Sequence, residues 1–561
     1  MSTKKYYRVA FIFGLINLAG LQISAQDRIL SKDLKSSSAS SQLASGAVNA
    51  SGMKPVGTRD LLVLLASGPV HLRLTVSHSG ITIEEIRTDY INTLFAMYDI
   101  NKDGQLMSDE TRNHALFNLG RRFSDTPLAR NLGQARGVTP TSMGSVIDRT
   151  MGQSMVFRQA NAVAEQDLQV FKVLDQDSSG MIERAEMRIS AASIASKDLD
   201  HDHCITFEEF LSSNDLMMAG APILAVVQDT NNGATQSELL RDAREPVMPA
   251  RLIRKYDIDK DAKLSAEELG WNELRIQNLD VDGDGLLAVI ELARIPEMEP
   301  DLALKADLTP SEGQSPMELL SARDTGHIKK GSSGTLEMQS PSNTIGFVVR
   351  SNDPIIESLK NARDTFNAID TDSNGYLDRV EIETHPRFQR YLFDAMDADK
   401  NDRVFADEMD DYVRGFAELA ATICQITLYD SGNGNFQNLD RNMDGRISIR
   451  ELRTIESQLI SLVNDEAGQV INPSKLPRSF RIEVQRGGPM LFGSVSDRFQ
   501  VDALQPLPRS PDGPIWFQRM DRNGDGDLVW DEFLGSRAIF GQMDSDGDRL
   551  IDAKEAAQFT P

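Results

Sequence analysis

The stretch "DRNGDGDLVWDE", Asp521 to Glu532, places oxygen-bearing side chains at its first, third, fifth and twelfth positions and a glycine at its sixth. A calcium ion takes about six to eight oxygen ligands, which a twelve-residue loop supplies from the side chains at positions 1, 3, 5 and 12 and the carbonyl of position 7. Glycine at position 6 permits the sharp turn. The spacing therefore predicts a calcium loop, although one copy could equally be a solvated acidic turn.

The same spacing recurs, and the chain contains ten loops of this length. Every loop opens with Asp, closes with Glu, and has an aliphatic residue at position 8. A Phe or Ile stands four residues before each loop, outside the ligand set, where it predicts the core face of an entering helix. Acidic turns that arose from composition alone would lack this anchor. The anchors are Phe95, Phe171, Ile194, Ile253, Ile276, Phe366, Phe393, Phe436, Phe517 and Phe540.

The predicted metal ligands form five sets, one for each ligand position. Position 1 holds Asp99, Asp175, Asp198, Asp257, Asp280, Asp370, Asp397, Asp440, Asp521 and Asp544. Position 3 holds Asn101, Asp177, Asp200, Asp259, Asp282, Asp372, Asp399, Asn442, Asn523 and Asp546. Position 5 holds Asp103, Ser179, Asp202, Asp261, Asp284, Asn374, Asn401, Asp444, Asp525 and Asp548. Position 7, through its carbonyl, holds Gln105, Met181, Cys204, Lys263, Leu286, Tyr376, Arg403, Arg446, Asp527 and Leu550. Position 12 holds Glu110, Glu186, Glu209, Glu268, Glu291, Glu381, Glu408, Glu451, Glu532 and Glu555.

These features make the chain resemble EF-hand proteins, and more narrowly the large exported EF-hand repeat proteins of planctomycete-type bacteria. The resemblance is carried by the loops "DINKDGQLMSDE", "DQDSSGMIERAE", "DVDGDGLLAVIE", "DTDSNGYLDRVE", "DRNMDGRISIRE" and "DRNGDGDLVWDE". With their flanking helices, the loops cover about half of the chain. The resemblance implies calcium binding and export, and it implies no catalytic activity.

Four loops replace the glycine at position 6, with His203, Ala262, Asp402 and Arg549. This position requires a positive φ, which costs an ordinary residue about 1 to 2 kcal/mol, although Asp and His tolerate it better. Because about 1.4 kcal/mol corresponds to a tenfold change in affinity, we expect these four sites to bind calcium several-fold to about tenfold more weakly.

The loop spacing predicts a mainly α fold, with several EF-hand pairs in tandem and short β-hairpin or small-sheet insertions. The predicted segments are a signal peptide at 1–25; a disordered Ser/Ala-rich linker at 26–58; a β-hairpin plus the first EF-hand at 59–150; EF-hand pairs at 151–215 (loops 175–186 and 198–209), 216–299 (loops 257–268 and 280–291), 356–420 (loops 370–381 and 397–408) and 506–561 (loops 521–532 and 544–555); a β-containing insertion at 300–355; an EF-hand with a vestigial partner at 421–476 (loops 440–451 and 464–475); and a short β-segment at 477–505.

The vestigial partner is the stretch "NDEAGQVINPSK", 464–475. It keeps Ile460 as its anchor and Ile471 at position 8, but Lys475 stands where the glutamate belongs. This stretch is either a metal-free partner of the loop 440–451 or an ordinary loop. The loop at 99–110 has no partner that the sequence identifies.

The connections within the pairs are short. Only eleven residues separate Glu186 from Asp198, too few for two helices and a turn at about 1.5 Å per helical residue. Breakers at Gly270, Pro386 and Gly535 predict truncated exiting helices. The segment "MRISAASIASK" has no breaker, so a continuous helix is the alternative there.

Several segments outside the loops alternate apolar and polar residues, which predicts strands. Leu72 to Val76, then Ile81 and Ile83 after Ser79-Gly80, indicate a β-hairpin. Further short strands are expected at 302–308, 345–349 and 480–484, as small sheets that separate or cap the EF-hand units.

The N-terminus has the pattern of a secretory signal, with basic residues, an apolar run from Val9 to Ile23 and small residues before a cut that we place after Ala25. The alternative, an uncleaved membrane anchor, needs a run of about twenty residues. Removing the signal's three basic residues takes the net charge from −25 to −28. Such a surface repels nucleic acid and attracts multivalent cations. We therefore expect an exported protein, periplasmic or extracellular, without a spanning segment after cleavage.

Other chemistry finds little support in the sequence. "LDHDHC", 199–204, permits a transition-metal site, but its residues also fit positions 2 to 7 of a calcium loop. Cys204 and Cys424 leave one disulfide open. The chain has no phosphate loop, nucleophile elbow or His-Glu-x-x-His helix.

Three functions remain. The first is an exported calcium-binding protein, not an enzyme, whose folding and rigidity depend on Ca²⁺ in up to ten loops. The second is a calcium-switched interaction module whose partner is an envelope or matrix protein or polysaccharide, with methionines such as Met217 and Met218 lining a groove. The third is an enzyme stabilised by its EF-hands. Whether Mg²⁺ competes at the weaker loops stays open.

Overall fold

The structure, a computed structural model, describes residues 57–107, 110, 137–159, 163–210, 235–236, 239–310, 314–331, 334–384, 393, 396–397, 399–463, 469–487, 507 and 512–559. All of them belong to one compact unit, Val56–Pro561. The predicted signal peptide and the Ser/Ala-rich linker up to residue 56 lie outside the described residues, as do Met217 and Met218.

Strands and helices alternate irregularly along the described chain. The strands are β1 (Thr58–Leu65), β2 (Gly68–His78), β3 (Ile81–Thr82), β4 (Met155–Gln159), β5 (Ile182–Glu183), β6 (Ile205–Thr206), β7 (Thr235–Gln236), β8 (Leu240–Asp242), β9 (Leu302–Asp307), β10 (Met317–Ala322), β11 (Ile328–Lys330), β12 (Leu336–Gln339), β13 (Asn343–Arg350), β14 (Tyr376–Leu377), β15 (Val404–Phe405), β16 (Cys424–Asp430), β17 (Arg446–Ile447), β18 (Val470–Ile471), β19 (Arg478–Arg486), β20 (Asp527–Leu528) and β21 (Ile551–Asp552).

The helices are mostly short. They are α1 (Ile83–Tyr98), α2 (Pro140–Met151), α3 (Val163–Leu174), α4 (Arg184–Ala195), α5 (Met248–Tyr256), α6 (Ala266–Leu269), α7 (Glu273–Gln277), α8 (Val289–Leu292), α9 (Pro354–Ile369), α10 (Arg379–Thr384), α11 (Ala406–Ala420), α12 (Ile449–Ser461), α13 (Ile515–Met520), α14 (Arg537–Met543) and α15 (Ala553–Gln558). Single 3-10 turns occur at Phe207–Phe210, Ile295–Glu297 and Pro473–Lys475.

Two multi-stranded sheets form the centre of the fold. The first has the order β10-β9-β2-β1-β8, with β3 paired to β2, and the second has the order β11-β12-β13-β19-β16-β4-β7. Most neighbours are antiparallel, whereas β2–β9, β13–β19 and β16–β4 are parallel. Apolar residues of both sheets, among them Leu74 and Ile482, belong to one buried cluster. The sheets therefore pack face to face around a shared core.

Successive side chains of a strand point to opposite faces, so β1 contributes residues to two hydrophobic cores. Leu61 and Val63 belong to the cluster between the sheets. Leu62 and Leu64, on the opposite face, join a second cluster formed with the helices and loops of residues 243–298. The predicted EF-hand pair with the loops 257–268 and 280–291 is thus packed directly on the outer face of the first sheet.

The predicted mainly α fold with tandem EF-hand pairs is therefore wrong, because sheets of six and seven strands form the core. The strands expected at 302–308, 345–349 and 480–484 exist as β9, β13 and β19, and Ser77 and His78 pair with β3 in the predicted hairpin. They are not small separate sheets. Alternation identifies a strand but not its partner, and the parallel pairs join segments remote in sequence.

The loops at 175–186 and 198–209 are also not paired with each other as predicted. A continuous helix, α4, separates them, as in the alternative considered for this segment. Instead β5 pairs with β18, which lies in the loop 464–475, and β6 pairs with β17, which lies in the loop 440–451. Since α4 and α12 each connect one loop of both pairs, the two helices run antiparallel and share one core.

The other predicted loop pairs are present. Leu264 forms a bridge with Leu287, β14 pairs with β15, and β20 pairs with β21. The exiting helix α6 is truncated to four residues and ends at Gly270, whose φ of 61° is left-handed. The loop at 99–110, for which the sequence offered no partner, bridges through Leu106 to Val138.

Candidate calcium-binding sites

All ten loops share one hydrogen-bonding frame. The position-12 glutamate accepts the amide N–H of position 9 at 2.7–3.3 Å in every loop. The position-1 aspartate accepts the N–H of position 6 at 2.8–3.1 Å in every loop. These bonds fix the first and last predicted ligands relative to the turn, so each loop closes on itself.

The turn conformation is the one the sequence predicted. The four residues that replace glycine at position 6 all have positive φ, 71° at His203, 65° at Ala262, 60° at Asp402 and 68° at Arg549. The structure adds that position 4 is also left-handed in every loop, for example at Lys102 and Met443. Sequence reasoning missed position 4 because ordinary residues occupy it in most loops.

The anchors and the position-8 residues hold the loops on their cores. Every position-8 side chain is buried, from Leu106 to Ile551. In nine loops the anchor carbonyl accepts the N–H of the opening aspartate; Asp198 bonds instead to Ala195. Burying one such aliphatic side chain contributes about 2 kcal/mol. Core packing therefore helps to position the predicted ligands of each loop.

The predicted ligands come together at the mouth of each loop. In at least five loops the carboxylates of positions 1, 3 and 12 each offer an oxygen within 4.8 Å of the others, among them Asp175/Asp177/Glu186, Asp198/Asp200/Glu209, Asp257/Asp259/Glu268, Asp280/Asp282/Glu291 and Asp370/Asp372/Glu381. Oxygen donors of this kind suit calcium. In a sixth loop, the buried Oδ1 of Asp544 has no hydrogen-bond partner. A cation at this oxygen would satisfy it, so the residues present fit calcium.

Two loops differ from the rest in their burial. Each of them buries at least three predicted ligands, namely Asp440, Asp444 and Glu451 in one loop and Asp521, Asn523, Asp527 and Glu532 in the other. Burial raises the pKa of Glu451 to about 7 and that of Asp440 well above its usual range. Burial also raises the pKa of Asp525 to about 8. Without a cation, these loops hold carboxylates in surroundings that disfavour their charge.

Cationic side chains lie against several ligands, which the spacing alone could not show. Lys263, whose carbonyl was predicted as a ligand, places its ammonium group against Asp284 of the neighbouring loop. Arg450, at position 11 of its loop, pairs with Asp527 and Asp548. The only sequence signal for these contacts is a basic residue at position 7 of three loops and at position 11 of two.

The contacts of residues 199–204 do not form a transition-metal site, the alternative that their sequence permits. The Cys204 thiol lies 3.6 Å from Asp525 Oδ2, and His203 Nε2 lies 3.8 Å from Asp531, a different carboxylate. Both cysteines are buried free thiols. The disulfide left open by the sequence is not formed.

Two segments, 464–475 and the one around Val138, retain the β pairing of position 8 without the predicted ligand set. Ile471 pairs with Ile182, and Lys475 lies in a 3-10 turn where the glutamate would stand. Beside Val138, the Thr139 N–H donates to Ser142 Oγ at 2.8 Å, which imitates the bond from position 9 to position 12. These two loops complete pairs without a calcium ligand set.

Comparisons with known proteins agree with this geometry. The profile of the family described as "EF hand" matches residues 362–384, 436–455 and 515–534. The chain is 25% identical over 150 residues to Myosin 1 light chain cam2 of Schizosaccharomyces pombe, an alignment covering 26% of this chain and 87% of that protein. No solved structure matches the chain. The matches and the loop geometry support an EF-hand calcium-binding protein.

Within the described part of the chain, every helix is too short or too polar to traverse a lipid bilayer.

Proposed function

We propose that this chain is an exported protein that binds calcium in up to ten loops and depends on the bound ions for its folding and rigidity. The observation that carries the proposal is the common frame of the ten loops, in which the glutamate of position 12 and the aspartate of position 1 are held by the same two backbone amides. A frame repeated with this constancy orients oxygen ligands toward one point in each loop.

The charge balance supports metal-dependent folding. A mature chain of charge −28 would approach about −8 with ten divalent ions bound, which removes much of the repulsion between carboxylates. Because the unfolded chain lacks preformed sites, binding energy adds to the stability of the folded state. Outside the cell, affinities of about 10⁻⁴ to 10⁻³ M suffice for occupancy.

The test is a calcium titration of the mature chain by calorimetry, with far-UV circular dichroism followed in parallel. We expect about six tighter and four weaker sites, following the residue at position 6, with ordered structure increasing as they fill. Each Glu→Gln change at position 12 should remove one site. Two or fewer bound ions without structural change would refute the proposal.

Export is tested separately. N-terminal sequencing of the protein recovered outside the cytoplasm should begin at Gln26, since the predicted cut follows Ala25. Recovery of the intact N-terminus in the cytoplasmic fraction alone would refute export.

A second candidate function is a calcium-switched interaction module for an envelope or matrix protein or polysaccharide. The observation in its favour is a set of exposed aliphatic side chains around one loop pair, with Ile258, Leu274, Val281 and Ile290 each at least 70% exposed. A calcium-dependent rise in binding of an apolar fluorescent dye would favour this candidate. A catalytic role forms no part of either proposal.

A further inference from the structure

The C-terminal EF-hand pair rests on the central loops through its own predicted ligands. The side-chain amide of Asn523, at position 3, donates to the backbone oxygen of Asp202 at 2.9 Å. The thiol of Cys204 lies 3.6 Å from Oδ2 of Asp525, at position 5. Asn523 and Cys204 are both buried in this contact. The surface between the loops 198–209 and 521–532 is therefore built from residues of the calcium sites themselves.

Arg450 connects three loops at the same surface. It immediately precedes Glu451, the predicted last ligand of its own loop. Its guanidinium group donates to both carboxylate oxygens of Asp527, at 2.8 and 2.9 Å, and lies 3.0 Å from Oδ2 of Asp548. Asp548 is the predicted position-5 ligand of the last loop, and its carbonyl also accepts a bond from Arg453. A bidentate Arg–carboxylate pair of this kind is geometrically specific.

The contacts between loops leave one oxygen of each ligand to its own loop. Oδ1 of Asn523 accepts the amide N–H of Asp525, and Oδ1 of Asp525 accepts that of Asp527. Oδ1 of Asp548 likewise accepts the N–H of Leu550. The neighbouring loops take the second polar atom of each side chain. A hydrogen bond to the second polar atom of a metal-binding side chain orients that side chain toward the metal. Docking and ligand orientation therefore depend on the same side chains.

The charges at this surface do not balance without metal. The carboxylates at this surface outnumber the guanidinium groups even when Asp525 is protonated. The groups that interact there are Asp202, Asp444, Asp525, Asp527, Asp548 and Asp552, with Arg446, Arg450, Arg453 and Arg481. Uncompensated charge in a partly buried interface is costly. Divalent cations in the adjoining loops would supply the missing positive charge, so their binding favours the docked arrangement.

We propose that calcium in the loops 198–209, 440–451 and 521–532 holds the C-terminal pair, residues 512–559, against the central loops, with Arg450 as the positioning residue that couples the loops 440–451 and 521–532. The proposal rests on the calcium binding proposed above. Linkage is reciprocal, so docking raises the calcium affinity of the loop 521–532 as much as its calcium strengthens docking.

Cys204 provides a built-in reporter, because undocking of the C-terminal pair uncovers its thiol. In the full chain carrying Cys424→Ala, Cys204 is the sole thiol, and its reaction rate with a maleimide is measured at saturating calcium. Glu532→Gln removes the last ligand of the docked loop. Glu381→Gln, the matched control, removes the same group from the loop 370–381. We expect Glu532→Gln to accelerate labelling about tenfold, and Glu381→Gln to leave the rate unchanged.

A second pair of variants tests Arg450. Arg450→Gln should accelerate Cys204 labelling, whereas Arg363→Gln, which breaks the ion pair with Asp410 in another EF-hand pair, should not. General unfolding is detected with Cys424, which lies in the core between the sheets, as the sole thiol in a Cys204→Ala background. If Glu532→Gln also accelerates the labelling of Cys424, its effect reflects general unfolding. The coupling is then judged from the labelling rate of Cys204 in Arg450→Gln.

The outcomes separate the two proposals. If calorimetry shows calcium bound to the parent chain but both members of each variant pair label equally, the coupling is overturned and calcium binding stands. If the parent binds no calcium, both proposals are overturned. Faster labelling only in Glu532→Gln and Arg450→Gln supports the coupling.

Discussion

The ammonium group of Lys263 forms an ion pair with the carboxylate of Asp284 across two neighbouring loops. It also lies 4.0 Å from Asp282. Both aspartates are predicted ligands of the loop 280–291, and the hydrogen bond from Lys263 holds the pKa of Asp284 below its usual range. A tethered cation therefore stands beside the site that a calcium ion would occupy, and it repels that ion.

Replacing this cation should strengthen calcium binding. We expect Lys263→Met to raise the affinity of the loop 280–291 by about two- to fivefold, the range for an exposed charge pair. Lys330→Met, the same charge change on the exposed strand β11, is the control. Calcium titration by calorimetry measures the gain, which should vanish in a Lys263→Met/Glu291→Gln double variant. A gain that persists in the double variant would contradict this assignment.

The loops could be predicted from the sequence because their determinants are local. Ligand spacing, the aliphatic residue at position 8 and the anchor one helical turn ahead all lie within sixteen residues, and the structure places each of them in the same frame. The positive φ at His203 and Ala262 was also predicted, because position 6 of the loop requires this conformation whichever residue occupies it. The same local signals identified the vestigial stretch 464–475, but its predicted pairing with the loop 440–451 is wrong, because it pairs with the loop 175–186.

The arrangement of the loops could not be predicted, because it depends on partners remote in sequence. Ile182 and Ile471 pair although just over half the chain separates them, and nothing in either local pattern specifies the other. The same holds for β4 and β16 in the second sheet. Alternation fixes which face of a strand is buried, but the neighbouring strand is chosen by packing of the whole core.

The pairing of the loop 198–209 with the loop 440–451, rather than with its neighbour 175–186, has a testable consequence. Ile205→Ala should destabilise the protein by about 2 to 5 kcal/mol and weaken calcium binding in the loop 440–451, because Ile205 pairs with Ile447. Its effect on the titration should therefore shrink in a Glu451→Gln background and persist in a Glu186→Gln background.

The control for this pairing is Leu264→Ala, which truncates an equally buried position-8 residue in the pair 257–291. The effect of Leu264→Ala on the calcium titration should be the same with and without Glu451→Gln. If the effect of Ile205→Ala instead disappeared in the Glu186→Gln background, the loops 175–186 and 198–209 would be partners after all.

The left-handed residue at position 6 gives a gain-of-function prediction. Ala262 has a φ of 65°, which strains a residue with a Cβ atom by about 1 to 2 kcal/mol. Ala262→Gly should therefore raise the calcium affinity of its loop, by about three- to tenfold once the greater freedom of unfolded glycine is subtracted. Asp402→Gly should gain less, since aspartate tolerates this conformation. Equal gains in calorimetric titrations would show that φ strain does not set the affinities.

The buried loops should bind calcium more weakly in acid than the exposed loops do. Burial raises the pKa of Asp525 to about 8 and that of Glu451 to about 7, from ordinary values near 4. In the metal-free fold these groups keep their protons to near-neutral pH, so the metal-free fold loses stability as pH rises from about 4 to about 8. Calcium requires the ionised carboxylates, and its binding must then release protons.

We therefore expect affinity at the loops 440–451 and 521–532 to fall between pH 8 and pH 6, by up to about tenfold per pH unit below the pKa of Asp525. The gap in melting temperature between calcium-loaded and metal-free protein should narrow over the same range. Calorimetry at pH 7 in buffers of different ionisation enthalpy counts the protons released. Asp525→Asn should reduce that count, whereas Asp372→Asn, at an exposed ligand of the loop 370–381, should not. Equal proton release by both variants would contradict the role assigned to burial.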